Sequence, residues 1–122
     1  MVEECSLACW FIFKAFSNNI GTGLLPVETK DNFLYALCSE SIVASDSGAS
    51  KVLTLFLINK VKGQTTLAIK LPSSYTKVLS SQDINAGHYN LRSTTGTVPF
   101  LNSKGMWHVE LSPLSLTIIK YQ

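Results

Sequence analysis

Past Gly23 the chain has no stretch long enough to be a helix between one β-type run and the next. That excludes parallel βαβ units, whose crossovers need a dozen or more residues, and leaves antiparallel pairing. β-type runs are predicted near 24–28, 32–40, 51–59, 64–71, 75–80, 88–93, 106–111 and 114–121. Turn formers stand between them: Lys30-Asp31-Asn32, Ser45-Asp46-Ser47-Gly48, Lys62-Gly63, Pro72-Ser73-Ser74, Asn85-Ala86-Gly87, Thr95-Gly96, Asn102-Ser103-Lys104-Gly105 and Pro113. Such punctuation predicts a mainly β fold, an antiparallel β-sandwich of about eight short strands.

The faces of these strands differ. Leu67, Ile69 and Leu71 alternate with Thr66, Ala68 and Lys70, and Trp107, Val109 and Leu111 alternate with His108 and Glu110. Period-two alternation describes strands wet on one side. Residues 52–58 (VLTLFLI) do not alternate, so this run is expected at the centre of a sheet covered on both faces, and 33–38 (FLYALC) reads similarly. The short Lys60–Gly63 connection makes 51–59 and 64–71 look like a hairpin.

Ahead of the strands, residues 3–18 read as one N-terminal helix. Glu3 and Glu4 suit the positive end of its dipole, and Asn18, Asn19 and Gly21 end it. Leu7, Trp10, Phe11, Ile12, Phe13 and Phe16 reach most of the way round, which marks a helix buried on several sides. The organisation expected is therefore a helical segment over 1–20 and a sandwich domain over 21–122. The apolar run 7–16 is shorter than the about 20 residues a membrane span needs. Acidic residues stand where a signal peptide would be basic. With free thiols, this points to the cytoplasm, unless the chain is a piece of a secreted enzyme.

With 122 residues the chain has room for one cored domain without disulfides or metals. Its 15% of charged residues is below the usual ~25%. The net charge of +2 is scattered, so the basic footprint of a nucleic-acid binder is missing. Cys5, Cys9 and Cys38 match no metal spacing and read as small apolar residues. No metal and no cofactor is expected.

Nor does a catalytic motif stand out. Most of the eight carboxylates lie beside turn or cap residues, and Glu110 sits mid-strand on the wet face. His88 and His108 lie in separate strands, with no G-x-S-x-G elbow, phosphate loop or dinucleotide fingerprint to accompany them. The expectation is a chain without a catalytic residue of its own. Tyr75, Tyr89, Trp107 and Tyr121 are candidates for stacking on sugars, with core packing as the competing role of each.

The order of segments resembles the C-terminal β-sandwich of multidomain (β/α)8-barrel glycoside hydrolases, such as endoglucanases, xylosidases and arabinofuranosidases. The matching pieces are Leu34-Tyr35-Ala36, Leu57-Ile58-Asn59-Lys60, and the closing run from Val109 to Ile118 with Ser112-Pro113-Leu114-Ser115 at its heart. The resemblance covers most of the chain, through short motifs. It implies that 3–18 is the last barrel helix and that Trp10, Phe13 and Phe16 face a partner. The catalytic glutamates of such enzymes lie on barrel strands that have no counterpart here. The implied role is a non-catalytic accessory domain that braces a barrel supplied by another chain or lost by truncation, or that self-associates through the apolar helix. A carbohydrate-binding module contacting polysaccharide through exposed aromatics is the alternative.

Overall fold

The computed structural model describes residues 17–21, 23–25, 27, 34–45, 48–86, 91–95 and 98–122. Residues 17–19 are helical, and the remainder of the expected helix lies outside the described residues. Among the described residues nine strands follow: β1 (Gly23–Leu25), β2 (Leu34–Ser45), β3 (Gly48–Asn59), β4 (Thr65–Ile69), β5 (Val78–Ala86), β6 (Leu91–Thr95), β7 (Phe100–Leu101), β8 (Trp107–Leu111) and β9 (Ser115–Tyr121). They form a six-stranded sheet in the order β1-β2-β3-β9-β5-β6 and a three-stranded sheet in the order β4-β8-β7. Every pairing is antiparallel. The predicted mainly β sandwich is the observed fold.

The non-alternating run is the central strand. β3 is hydrogen-bonded to β2 on one side and β9 on the other, and Val52 to Leu57 are buried without interruption. Leu53, Leu55 and Leu57 point toward the small sheet. There they meet Trp107, Val109 and Leu111 of β8 and Ile119 and Tyr121 of β9, which form the main core. Phe56 points the opposite way and packs with Ile84, Leu116 and Ile118, with Leu37 against them. The six-stranded sheet is thus apolar on both sides at its centre. The wet-faced strands behave as their patterns predict: β4 alternates, and in β8 the inward side chains are Trp107, Val109 and Leu111.

Three expectations need correction. β3 and β4 are not a hairpin, because both hydrogen-bonding edges of β3 are already taken and β4 pairs with β8 in the other sheet. The crossing is held by Asn59. Its Nδ2 donates to the Ser112 carbonyl at 2.9 Å, its Oδ1 accepts from the Val61 amide at 3.1 Å, and the Leu114 amide donates to the Val61 carbonyl at 3.0 Å. β2 and β3 instead make a long hairpin, paired from Leu34–Asn59 to Ser45–Gly48, so strand continues past the ends expected at 40 and 51. Gly48 stands at its turn with φ 117°, a conformation that costs glycine nothing. The run 33–38 is not covered on both faces either, since Tyr35 projects into solvent.

Replacing a side chain sealed in the main core leaves a cavity as well as losing burial. Leu57→Ala is expected to lower unfolding stability by about 2–5 kcal/mol, against less than about 0.5 kcal/mol for the exposed Leu79→Ala, read from urea midpoints.

Candidate functional site

The described aromatic candidates do not form an exposed plane. Tyr75, Trp107 and Tyr121 are all buried in the main core, so their faces are closed to a sugar, and Tyr89 lies outside the described residues. Strand parity is the cause. Trp107 shares the inward side of β8 with Val109 and Leu111, and Tyr121 sits opposite Leu53 on the inward side of β9. The Trp107 and Tyr121 rings meet edge to face, 5.0 Å apart at 63°. The candidates Trp10, Phe13 and Phe16 also lie outside the described residues.

Tyr75 is tied into a small polar cluster at the margin of the core. Its hydroxyl donates to Glu40 Oε2 at 3.0 Å, and Lys51 Nζ lies 3.5 Å from Glu40 Oε1. Burial, followed by the hydrogen bond and charge of Glu40, pushes the Tyr75 hydroxyl up to about 12. Burial, then the charge of Glu40, pushes the nearby Cys38 thiol up to about 11. A thiol held protonated in an apolar setting is a poor nucleophile. Desolvation likewise raises the Tyr121 hydroxyl, which makes no hydrogen bond among the described residues.

A second polar group joins the sheets at the opposite end. Ser112 Oγ donates to Asp83 Oδ2 at 2.5 Å, Asn85 Nδ2 to the same oxygen at 3.3 Å, and Ser115 Oγ to the Ser112 carbonyl at 2.7 Å. With Asn59 these residues hold the turn that carries the closing strand, a structural role. Among the described residues no three His, Cys, Asp or Glu side chains gather as a metal group would, and no helix is long and apolar enough to cross a membrane.

What the surface carries instead was not singled out in the sequence. Tyr35, 61% exposed, pairs across strands with Ile58 and takes the Lys60 ammonium over its ring at 3.9 Å from the centroid. Both side chains lie on the outer side of the six-stranded sheet, the side that carries Phe56. On that side Gly21 closes onto β2: its amide donates to the buried Ser39 Oγ at 2.8 Å. A Cβ at Gly21 would stand 2.7 Å from the Glu40 carbonyl oxygen, so only glycine lets the backbones approach this closely. On the small sheet, Phe100 stacks on His108.

No protein-family model and no curated protein matches the sequence. Solved structures do. A family 51 α-L-arabinofuranosidase from Bifidobacterium longum superposes with a TM-score of 0.56 at 12% identity over 84% of this chain and 21% of its own. A family 30 subfamily 8 xylanase from Clostridium acetobutylicum superposes with a TM-score of 0.54 at 14% identity over 88% of this chain and 26% of its own. The class defined by the fold is the two-sheet antiparallel sandwich. More particularly, this sandwich is similar to a part, about a quarter or less, of each of two glycoside hydrolase chains.

Two outcomes follow from the buried hydroxyl and thiol groups. Tyr121→Phe removes an unpartnered polar atom while keeping the ring, so stability should be unchanged or raised, by up to about 1–2 kcal/mol, in denaturant titrations. Cys38 and Tyr75 are neutral when protonated, and the folded state holds those protons more tightly than a free thiol or phenol would, at 9.0 and 10.0. Their stabilisation is therefore complete below about pH 9 and lost as pH rises through about 11 and 12. Unfolding midpoints followed across that window should fall, and fall less steeply in a Cys38→Ala, Tyr75→Phe double variant.

Proposed function

We propose that this chain is a non-catalytic accessory β-sandwich of a glycoside hydrolase, which braces a (β/α)8 catalytic barrel supplied by another chain or by a longer form of this one. The observation that carries the reading is the junction at Gly21. There the segment leaving helical residues 17–19 is locked against β2 by the Ser39 hydrogen bond and an approach that no other residue permits. In the resemblance drawn from the sequence, this is where a barrel's last helix enters the sandwich. A junction fixed by backbone contact transmits orientation, whereas a flexible linker does not.

The outer side of the six-stranded sheet supports the same reading. Its centre is apolar through Phe56, Ile84, Leu116 and Ile118, and its margins keep Leu24, Tyr35, Val43 and Ile58 exposed. Apolar margins around a covered centre suit contact with a further body. The two similar structures come from enzymes named for arabinofuranosidase and xylanase activity, so the barrel proposed here would act on arabinose- or xylose-containing glycans.

The test is capture from the source cells with the tagged chain and identification of what is retained by mass spectrometry. The expected result is a (β/α)8 glycoside hydrolase whose activity in the eluate falls when the sandwich is removed. A Tyr35→Asp, Ile58→Asp variant should retain at least about tenfold less of it. Recovery of a solitary monomer, or equal capture by the variant, would contradict the reading.

A further inference from the structure

The outer surface of the three-stranded sheet carries an aromatic pair for which the core has no use. Phe100 in β7 is registered opposite His108 in β8, and the rings stack with centroids 4.9 Å apart and planes 11° from parallel. Phe100 remains 62% exposed. Register places Ala68 of β4 on the far side of His108, so the rings run into a low shelf. The next row on the same surface is Glu110 beside Thr66, and Gln64 Nε2 donates to Glu110 Oε2 at 3.5 Å.

The pair is held in place. Asn102 Oδ1 accepts from the Lys104 and Met106 amides at 2.9 and 3.0 Å, which leaves its Nδ2 to donate to His108 Nε2 at 2.8 Å. His108 Nε2 must then be the acceptor, and the ring proton sits on Nδ1. The imidazole is thereby oriented by a turn whose Asn102, Lys104, Gly105 and Met106 amides are bonded, and Phe100 is stacked against it before any ligand arrives. Preorganisation of this kind lowers the entropy lost on binding.

The chemistry narrows the occupant. The exposed ring of Phe100 suits the C–H side of a sugar ring, and one row along the same surface a carboxylate and a primary amide can accept from and donate to hydroxyls elsewhere on the same glycan. A nucleobase also stacks on aromatic rings, but the Glu110 carboxylate in the next row would repel its phosphates. A second copy pairing along the β7 edge would have only Phe100 and Leu101 to set its register. We propose that Phe100, His108, Glu110 and Gln64 form a surface subsite for a neutral sugar unit of a polysaccharide. The choice of polysaccharide rests on the glycoside-hydrolase reading. The subsite itself lies on the other sheet from the margins offered to the barrel, so each proposal can fail alone.

The test is affinity electrophoresis of the full chain through native gels with and without soluble arabinoxylan. The wild type is expected to be retarded by the polysaccharide. Phe100→Ala should weaken the apparent affinity at least about tenfold, Phe100→Leu, which keeps the apolar volume, should weaken it similarly, and Glu110→Gln should lose less. Leu79→Ala on the other sheet should migrate as the wild type, and circular dichroism should show every variant folded. Unretarded wild type, retardation indifferent to both Phe100 variants, or a concentration-dependent dimer abolished by Phe100→Leu without any retardation would each overturn the subsite. None of these outcomes bears on capture of a barrel through Tyr35 and Ile58.

Discussion

The burial of one strand on both faces organises the rest of this molecule. Val52 to Leu57 pair with β2, and Leu53 to Leu57 also with β9, and they send Leu53, Leu55 and Leu57 into one core and Phe56 into another. Each fully buried aliphatic or aromatic side chain contributes about 1.5–3 kcal/mol relative to exposure, so the strand stabilises both layers at once. With both edges occupied, the chain leaving Asn59 has no place beside it. It crosses to the second sheet, and that crossing makes the protein a sandwich.

Much of this was legible because strand periodicity is local. The alternation in 65–69 and 107–111 and its absence in 52–57 each follow from a few consecutive residues. The same pattern already placed Trp107 beside Val109 and Leu111, on the buried side, and therefore opposed its use as a sugar platform. The sheet change after β3 was not legible, because the side chain that holds it bonds Ser112, 53 positions away. Phe100 escaped notice for a different reason. Its strand is two residues long, too short for any period, and its place on the wet side comes only from its register with His108.

The two surfaces set aside by this architecture have different character. The outer side of the large sheet is apolar at its centre and rimmed by Tyr35, Ile58, Val43 and Leu24, with Gly21 closed down on β2. That suits a permanent neighbour. The small sheet presents one locked aromatic pair among hydrogen-bonding side chains, which suits a reversible, polar ligand. The two proposals accordingly put a barrel on one side of the sandwich and a polysaccharide on the other. Neither task needs a nucleophile or a general acid from the sandwich itself.

Native-state hydrogen exchange of the 122-residue chain tests the two-sided central strand most directly. The amides of Val52 to Leu57, together with those of Leu116 to Ile119, are expected to exchange only through global unfolding, with a free energy equal to that from denaturant titration. Exchange of the β3 amides through a local opening, well below the global value and independent of the β9 amides, would contradict the account.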